Sequence, residues 1–279
     1  MRTFACTAFA LVAFAANSVL CRLALDNSTI DPASFSTIRL VSGAAVLWLI
    51  SRARDRKAVN AGDWVSAALL FLYAAPFAFA YVTLTTGTGA LILFGSVQTS
   101  MILAALRSGE RLHGNELLGL LLGLGGLVYL VFPGLSAPTP LGSALMAGAG
   151  VSWGLYSLRG RRSSAPLAAT ANNFVRSVPL TVAMSLILLP SARLSLRGSA
   201  LALLSGTLTS GIGYAVWYAA LRGLATRHAS IVQLSVPVLA AMGGVLFLSE
   251  PISLRLLLSA CMILGGVGLA VLGRKTSGR

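Results

Sequence analysis

Ten apolar runs follow one another along this chain, at approximately 3–21, 32–51, 63–84, 88–107, 115–132, 140–158, 167–190, 197–222, 229–248 and 253–273. Runs of about 20 residues match the ~30 Å hydrocarbon core of a bilayer, where no water is present to satisfy peptide groups. Each run is therefore expected to be an α-helix that crosses the membrane. Turn formers separate them: Asp26-Asn27, Asp31-Pro32, Gly62-Asp63, Gly87 and Gly89, Pro133-Gly134, Pro138 and Pro140, Pro166, Pro190 and Glu250-Pro251. The third and fourth runs are the least clearly divided, because Thr83 to Gly89 carries no charge. A single block over 64–106 would be about two membrane thicknesses long, so it must turn back once.

Composition agrees with this reading. Hydrophobic residues make up 56% of the 279 residues, charged residues 10%, and the mean hydropathy is +0.85. A net charge of +14 would suggest a nucleic-acid partner in a soluble protein. Here the basic residues lie in short clusters between apolar runs, and no nucleic-acid partner is expected. Cys6, Cys21 and Cys261 are odd in number and far apart, which supports neither disulfides nor a metal site. Met1-Arg2 followed by an apolar run resembles a signal peptide, but the many later runs favour a retained first helix.

Lys and Arg in short loops mark the cytoplasmic side. With the N-terminus inside, the inner segments hold Arg2, Arg52, Arg54, Arg56, Lys57, Arg107, Arg111, Arg159, Arg161, Arg162, Arg222, Arg227, Arg274, Lys275 and Arg279. The outer segments hold only Arg22, Arg193, Arg197 and Arg255. Both termini are therefore expected in the cytoplasm, in an inner-membrane protein of monomeric form.

The chain also repeats. A shift of 140 places Glu110 on Glu250, Leu117-Leu118 on Leu257-Leu258, Leu124-Gly125-Gly126 on Leu264-Gly265-Gly266, and Val131 on Val271. Residues 1–134 and 135–279 then form two units of five crossings each. Because five is odd, the second copy enters the membrane from the opposite face. The expected fold class is an all-α integral membrane protein of ten transmembrane helices arranged as two inverted five-helix repeats. Such repeats place a solute site near the midplane between halves and permit alternating access.

The Glu, Leu-rich and Gly-Gly pattern in Glu110–Gly126 and Glu250–Gly266, with Asp31-Pro32 followed by Arg39, resembles the drug/metabolite transporter superfamily and its EamA family. The stretch from Tyr81 to Gln98 is similar to YddG-type exporters of aromatic and other amino acids. The resemblance implies an inner-membrane exporter or facilitator of small metabolites, foremost amino acids, with no cofactor. Val97 where the second repeat has Pro237, and Asn17-Ser18 where many relatives carry Trp-Gly, depart from the pattern and leave the solute open. A nucleotide-sugar or lipid-linked sugar carrier of the same superfamily is the alternative. HExxH does not occur, and no carboxylates pair at depth, so an enzyme is not expected.

Polar and aromatic residues within the runs are the candidate site. Arg39 and Arg176 occupy corresponding runs, and a buried Arg costs roughly 2.5–3.5 kcal/mol on insertion scales, so each needs acceptors. Either they attract a substrate carboxylate or they hold loops and helix ends in place. Asn17, Gln98 and Gln233 are candidates for substrate binding or interhelical bridging. Tyr73, Phe77 and Tyr81 share one face of the third run, Tyr214 and Tyr218 one face of the eighth, with Trp217 beside them. With Trp153 and Tyr156 on the sixth run, Tyr81, Tyr214 and Trp217 are expected to line a cavity for an apolar or aromatic group. Pro76, Pro179 and Pro237 interrupt helix hydrogen bonding and are candidate hinges or gates. All seven acidic residues (Asp26, Asp31, Asp55, Asp63, Glu110, Glu116 and Glu250) fall in loops or at helix ends, as do His113 and His228. None is placed at mid-membrane to carry a coupling proton, so facilitated diffusion or weak coupling is expected rather than stoichiometric proton antiport.

Overall fold

A computed structural model describes residues 2–54, 61–107, 114–132, 134, 137–161, 163–221, 223 and 232–273. Ten helices account for nearly all of them: α1 (Arg2–Leu25), α2 (Pro32–Arg54), α3 (Trp64–Tyr81), α4 (Thr86–Arg107), α5 (Gly114–Val131), α6 (Pro140–Gly160), α7 (Pro166–Ile187), α8 (Leu196–Leu221), α9 (Ser235–Leu248) and α10 (Leu254–Gly273). The described residues contain no strand beyond an isolated antiparallel bridge between Ile30 and Leu194. Five helices (α1, α2, α3, α4 and α8) are individually long and apolar enough to cross a membrane. The apolar parts of α5, α9 and α10 are shorter. Glu110, Arg111, His113, Arg222, Arg227 and His228 lie outside the described residues, as does the start of the ninth run.

Local chemistry sets the ends of the helices. Pro32, Pro140 and Pro166 open α2, α6 and α7, where a missing N–H has no partner to lose. Asp63 caps α3 by accepting from the Ser66 amide at 2.9 Å, and Ser195 caps α8 by accepting from the Gly198 amide at 3.0 Å. Gly62, at φ +87°, makes the turn into α3 and could not carry a side chain without striking Asn173 and the Ala169 carbonyl.

Three boundaries differ from expectation. α1 runs on past Arg22 to Leu25, because the Arg22 side chain finds acceptors that hydropathy does not register. The third and fourth runs separate at Val82–Thr85, so Gly87 and Gly89 lie inside α4 rather than breaking it. Their small size serves packing instead: a β-carbon on Gly87 would lie 3.0 Å from the Ala241 side chain of α9, and one on Gly89 would meet the Tyr81 ring. α8 contains a π-helical stretch at Ser205–Ile212, which the sequence did not suggest.

The bundle buries several large polar and aromatic side chains and leaves many apolar ones facing outward. Arg39, Tyr81, Phe35, Phe77 and Phe174 are among the largest fully buried side chains, whereas Leu49, Leu121, Leu196, Leu246 and Phe247 are exposed. α5 packs along α10 and α2 along α7; α3 and α4 both lie against α6, while α8 and α9 both lie against α1. Glycines allow the closest crossings. A β-carbon on Gly266 would sit 2.5 Å from the Gly119 carbonyl, and one on Gly150 would sit 2.6 Å from the Leu93 carbonyl. Gly119-xxx-Gly123 and Gly150-xxx-Gly154 thus serve contacts within the bundle.

Candidate functional site

Where α1, α2, α3 and α8 meet, the protein buries a polar knot. Arg39 of α2 is 2% exposed. It donates through Nη2 to the Tyr73 hydroxyl at 3.1 Å and through Nε to the Ser210 hydroxyl at 3.2 Å. Its Nη1 is buried without a hydrogen-bond partner. The guanidinium also lies over the Tyr73 and Phe77 rings, at 5.3 and 5.2 Å from their centroids. Asn17 of α1 accepts from the Ser205 hydroxyl at 2.7 Å and from the Thr209 hydroxyl at 3.3 Å, and donates to Tyr73 at 3.5 Å. The three α8 hydroxyls fall within the π-helical stretch, whose wider turn presents Ser205, Thr209 and Ser210 to the interior. Gly206, in the same stretch, lies against Ser42 and the Arg39 backbone, so α2 and α8 touch main chain to main chain.

Aromatic rings surround this knot. Trp153 of α6 stands 4.8 Å from Tyr73, 5.5 Å from Tyr214 and 5.3 Å from Tyr156 between ring centroids. Phe77 links Tyr73 to Tyr81, Phe174 of α7 meets Tyr214 at 6.0 Å, and Phe14 of α1 touches both Tyr214 and Trp217. Six helices contribute, three from each half of the chain. The centre therefore combines one uncompensated cation, uncharged hydroxyls and π faces.

Ion pairs tie helices together at both ends of the bundle. At one end Arg22 pairs with Glu250 at 3.4 Å and donates to the carbonyls of Tyr81 and Val82. Glu250 also accepts from the Thr86 amide at 2.8 Å, capping α4 with a charge that suits a helix N-terminus. Four segments converge there. At the other end Arg159 pairs with Asp63 at 3.0 Å. Burial pushes the Asp63 carboxyl up, but hydrogen bonds from Ser66 and the Arg159 guanidinium outweigh it and hold it below the usual aspartate value. Asp31 behaves likewise, with Ser34 and the Arg193 and Ala33 amides outweighing burial.

The residues expected to form the site are only partly assembled. Asn17, Arg39, Trp153, Tyr156 and Tyr214 belong to the central constellation; Tyr81 joins it through Phe77, and Trp217 through Phe14. Gln98 instead lines a small cleft among α4, α5 and α10, with Thr99, Gly119 and Ile263. Gln233 is half-buried just before α9. Arg176 donates to the Ala61 carbonyl at 3.2 Å, where Asn172 donates too, so it contacts the loop between α2 and α3. Pro76 lies within α3 beside Tyr73 and Phe77, and Pro179 within α7. Pro237 offers no N–H to the Gln233 carbonyl, and the helix is broken by a turn at Leu234. Sequence reasoning passed over Ser205, Thr209 and Ser210. A cluster of hydroxyls in an otherwise apolar run was their available signal.

A bundle of apolar helices, five of them long and apolar enough to cross a membrane, around a buried polar centre walled by aromatic rings defines a multi-pass membrane protein. The EamA-like transporter family matches residues 3–132 and again 140–272, and the chain belongs to that family. It is 50% identical over 274 residues to an uncharacterized protein of Pseudomonas aeruginosa, covering 98% of this chain and 96% of that one. An uncharacterized transporter of Archaeoglobus fulgidus is 27% identical over 68% of this chain and 69% of its own length. The uncharacterized transporter YoaV of Bacillus subtilis is 22% identical over 85% and 86%. A solved crystal structure superposes with a TM-score of 0.68 over 97% of this chain and 99% of that chain, at 22% identity, a likeness of fold. The protein is thus a membrane transporter of small solutes.

Proposed function

We propose that this transporter is an inner-membrane exporter or facilitator of amino acids with aromatic or other neutral side chains, working by alternating access between two inverted five-helix units, 1–134 and 135–279. The observation that carries this reading is the Asn17–Arg39–Tyr73 knot enclosed by Trp153, Tyr156 and Tyr214, at the junction of helices from both halves. Aromatic walls suit an apolar side chain, and hydroxyls with a guanidinium suit its polar end.

Two further observations support the inverted units. The family matches each half separately. The helix packing also maps onto itself when the halves are exchanged: α3 on α6 becomes α8 on α1, α4 on α6 becomes α9 on α1, and α2–α7, α4–α9 and α5–α10 are their own counterparts. The charge distribution favours cytoplasmic termini, and a monomer encloses the site unaided. For a sugar nucleotide, whose diphosphate calls for several cations, the centre offers, among the described residues, Arg39 alone, since Arg176 lies at a loop carbonyl.

The test is a flux screen in proteoliposomes over aromatic, branched and hydroxyl amino acids, with Trp153→Ala and Gln98→Ala compared. Phenylalanine-type solutes should move, and Trp153→Ala should reduce their flux more than that of small solutes. Absence of flux for every amino acid would sink the proposal.

A further inference from the structure

The least balanced group in the protein is Arg39. Guanidinium stays protonated at any ordinary pH, and this one is 2% exposed with Nη1 unpartnered. No carboxylate pairs with it among the described residues, where Asp26, Asp31, Asp63, Glu116 and Glu250 lie in loops or at helix ends. Its present partners, Tyr73 and Ser210, are neutral hydroxyls. A buried cation ordinarily requires a counter-charge. Tyr73 already accepts from Arg39 and Asn17, which leaves its own proton to donate. Two donors, one of them charged, therefore lie next to each other where Tyr73 meets Trp153, with no anion among the described residues to receive them.

We propose that Arg39 and Tyr73 form a carboxylate subsite, and that the solutes are aromatic or apolar monocarboxylates whose α-amino group is dispensable. This rests on the reading of the centre as a solute site and goes further in naming what is recognised there. Among the described residues no carboxylate lies nearby to receive an ammonium, and the Arg39 charge, already over the Tyr73 and Phe77 rings, repels a second cation. The amino acid is then one member of a wider class. A zwitterion crosses without net charge, whereas a simple carboxylate carries one negative charge.

The experiment uses three probes with one benzyl body: phenylalanine, 3-phenylpropionate and 2-phenylethylamine, in proteoliposomes against protein-free liposomes. Phenylalanine and 3-phenylpropionate should move and compete with each other, and the amine should compete with neither. Solid-supported membrane currents should appear for 3-phenylpropionate and not for phenylalanine. Arg39→Gln should raise the KM of both acids about 10- to 100-fold, the effect of removing a charged hydrogen-bonding partner, with Arg39→Lys partly restoring it. Should Arg39→Gln fail to fold, Tyr73→Phe and the amine arm on the unmodified protein decide. Competition by the amine equal to that of the acid, or a requirement for the ammonium, overturns the carboxylate subsite while leaving solute transport standing. No movement of any probe overturns both.

Discussion

At the residue scale the centre depends on one hydroxyl. Tyr73 accepts from both Arg39 and Asn17, so Tyr73→Phe keeps the ring and strands two buried donors. Stranding such groups costs about 1–3 kcal/mol, and thermal unfolding in detergent should show that loss together with slower solute flux. Asp63 offers a second test. Its folded carboxyl is held below the ordinary aspartate value, so its contribution is present above the unfolded pKa of about 3.9 and is lost as pH falls through the folded value. Asp63→Asn should therefore flatten the acid limb of a stability profile measured by thermal melting. Residue types were legible here in different degrees. Arg39 and the aromatic faces stood out because a charge or ring inside an apolar run is expensive or periodic, but Tyr73 acquires its role only by meeting α1 and α2.

Helices are positioned by where they can approach. Gly206 lies on the Arg39 backbone as well as the Ser42 hydroxyl, so even with Ser42 turned aside a methyl there meets main chain that cannot yield and must push α8 from α2. Gly206→Ala is expected to destabilise by about 1–3 kcal/mol, whereas Gly148→Ala, which meets nothing within 4 Å, should be neutral or slightly stabilising. Denaturation of both variants in the same detergent gives the comparison. The Arg22–Glu250 pair joins α1, α3, α4 and the α9–α10 connection. Glu250→Gln removes its charge and should loosen that end. In a background lacking Cys6, Cys21 and Cys261, a cysteine replacing Leu84, 1% exposed, should then react faster with a membrane-impermeant maleimide; an unchanged rate would count against a closing role. Both acidic ends of the repeat were visible in sequence, but the partner of Glu250 was not, since Arg22 lies 228 residues away.

At the scale of the whole molecule, two like halves packed about shared helix pairs suit exchange between two similar conformations. With the described acidic residues in loops or at helix ends, solute flux into proteoliposomes should be unchanged when an ionophore collapses a pH gradient. Concentrative uptake abolished by the ionophore would show proton coupling and overturn this.

The sequence by itself determined the ten helices and their approximate ends, because a bilayer requires the backbone to satisfy its own hydrogen bonds and hydropathy is additive along the chain, and the family was legible in the repeated Glu, Leu-rich and Gly-Gly pattern. Tertiary structure alone decided which polar residues meet. Gln98 and Arg39 look equivalent as polar groups within apolar runs, yet one lines a cleft at α4, α5 and α10 and the other sits buried between Tyr73 and Ser210. Helix rotation and crossing position set that difference, through glycine contacts and a π-helical turn that no hydropathy pattern encodes.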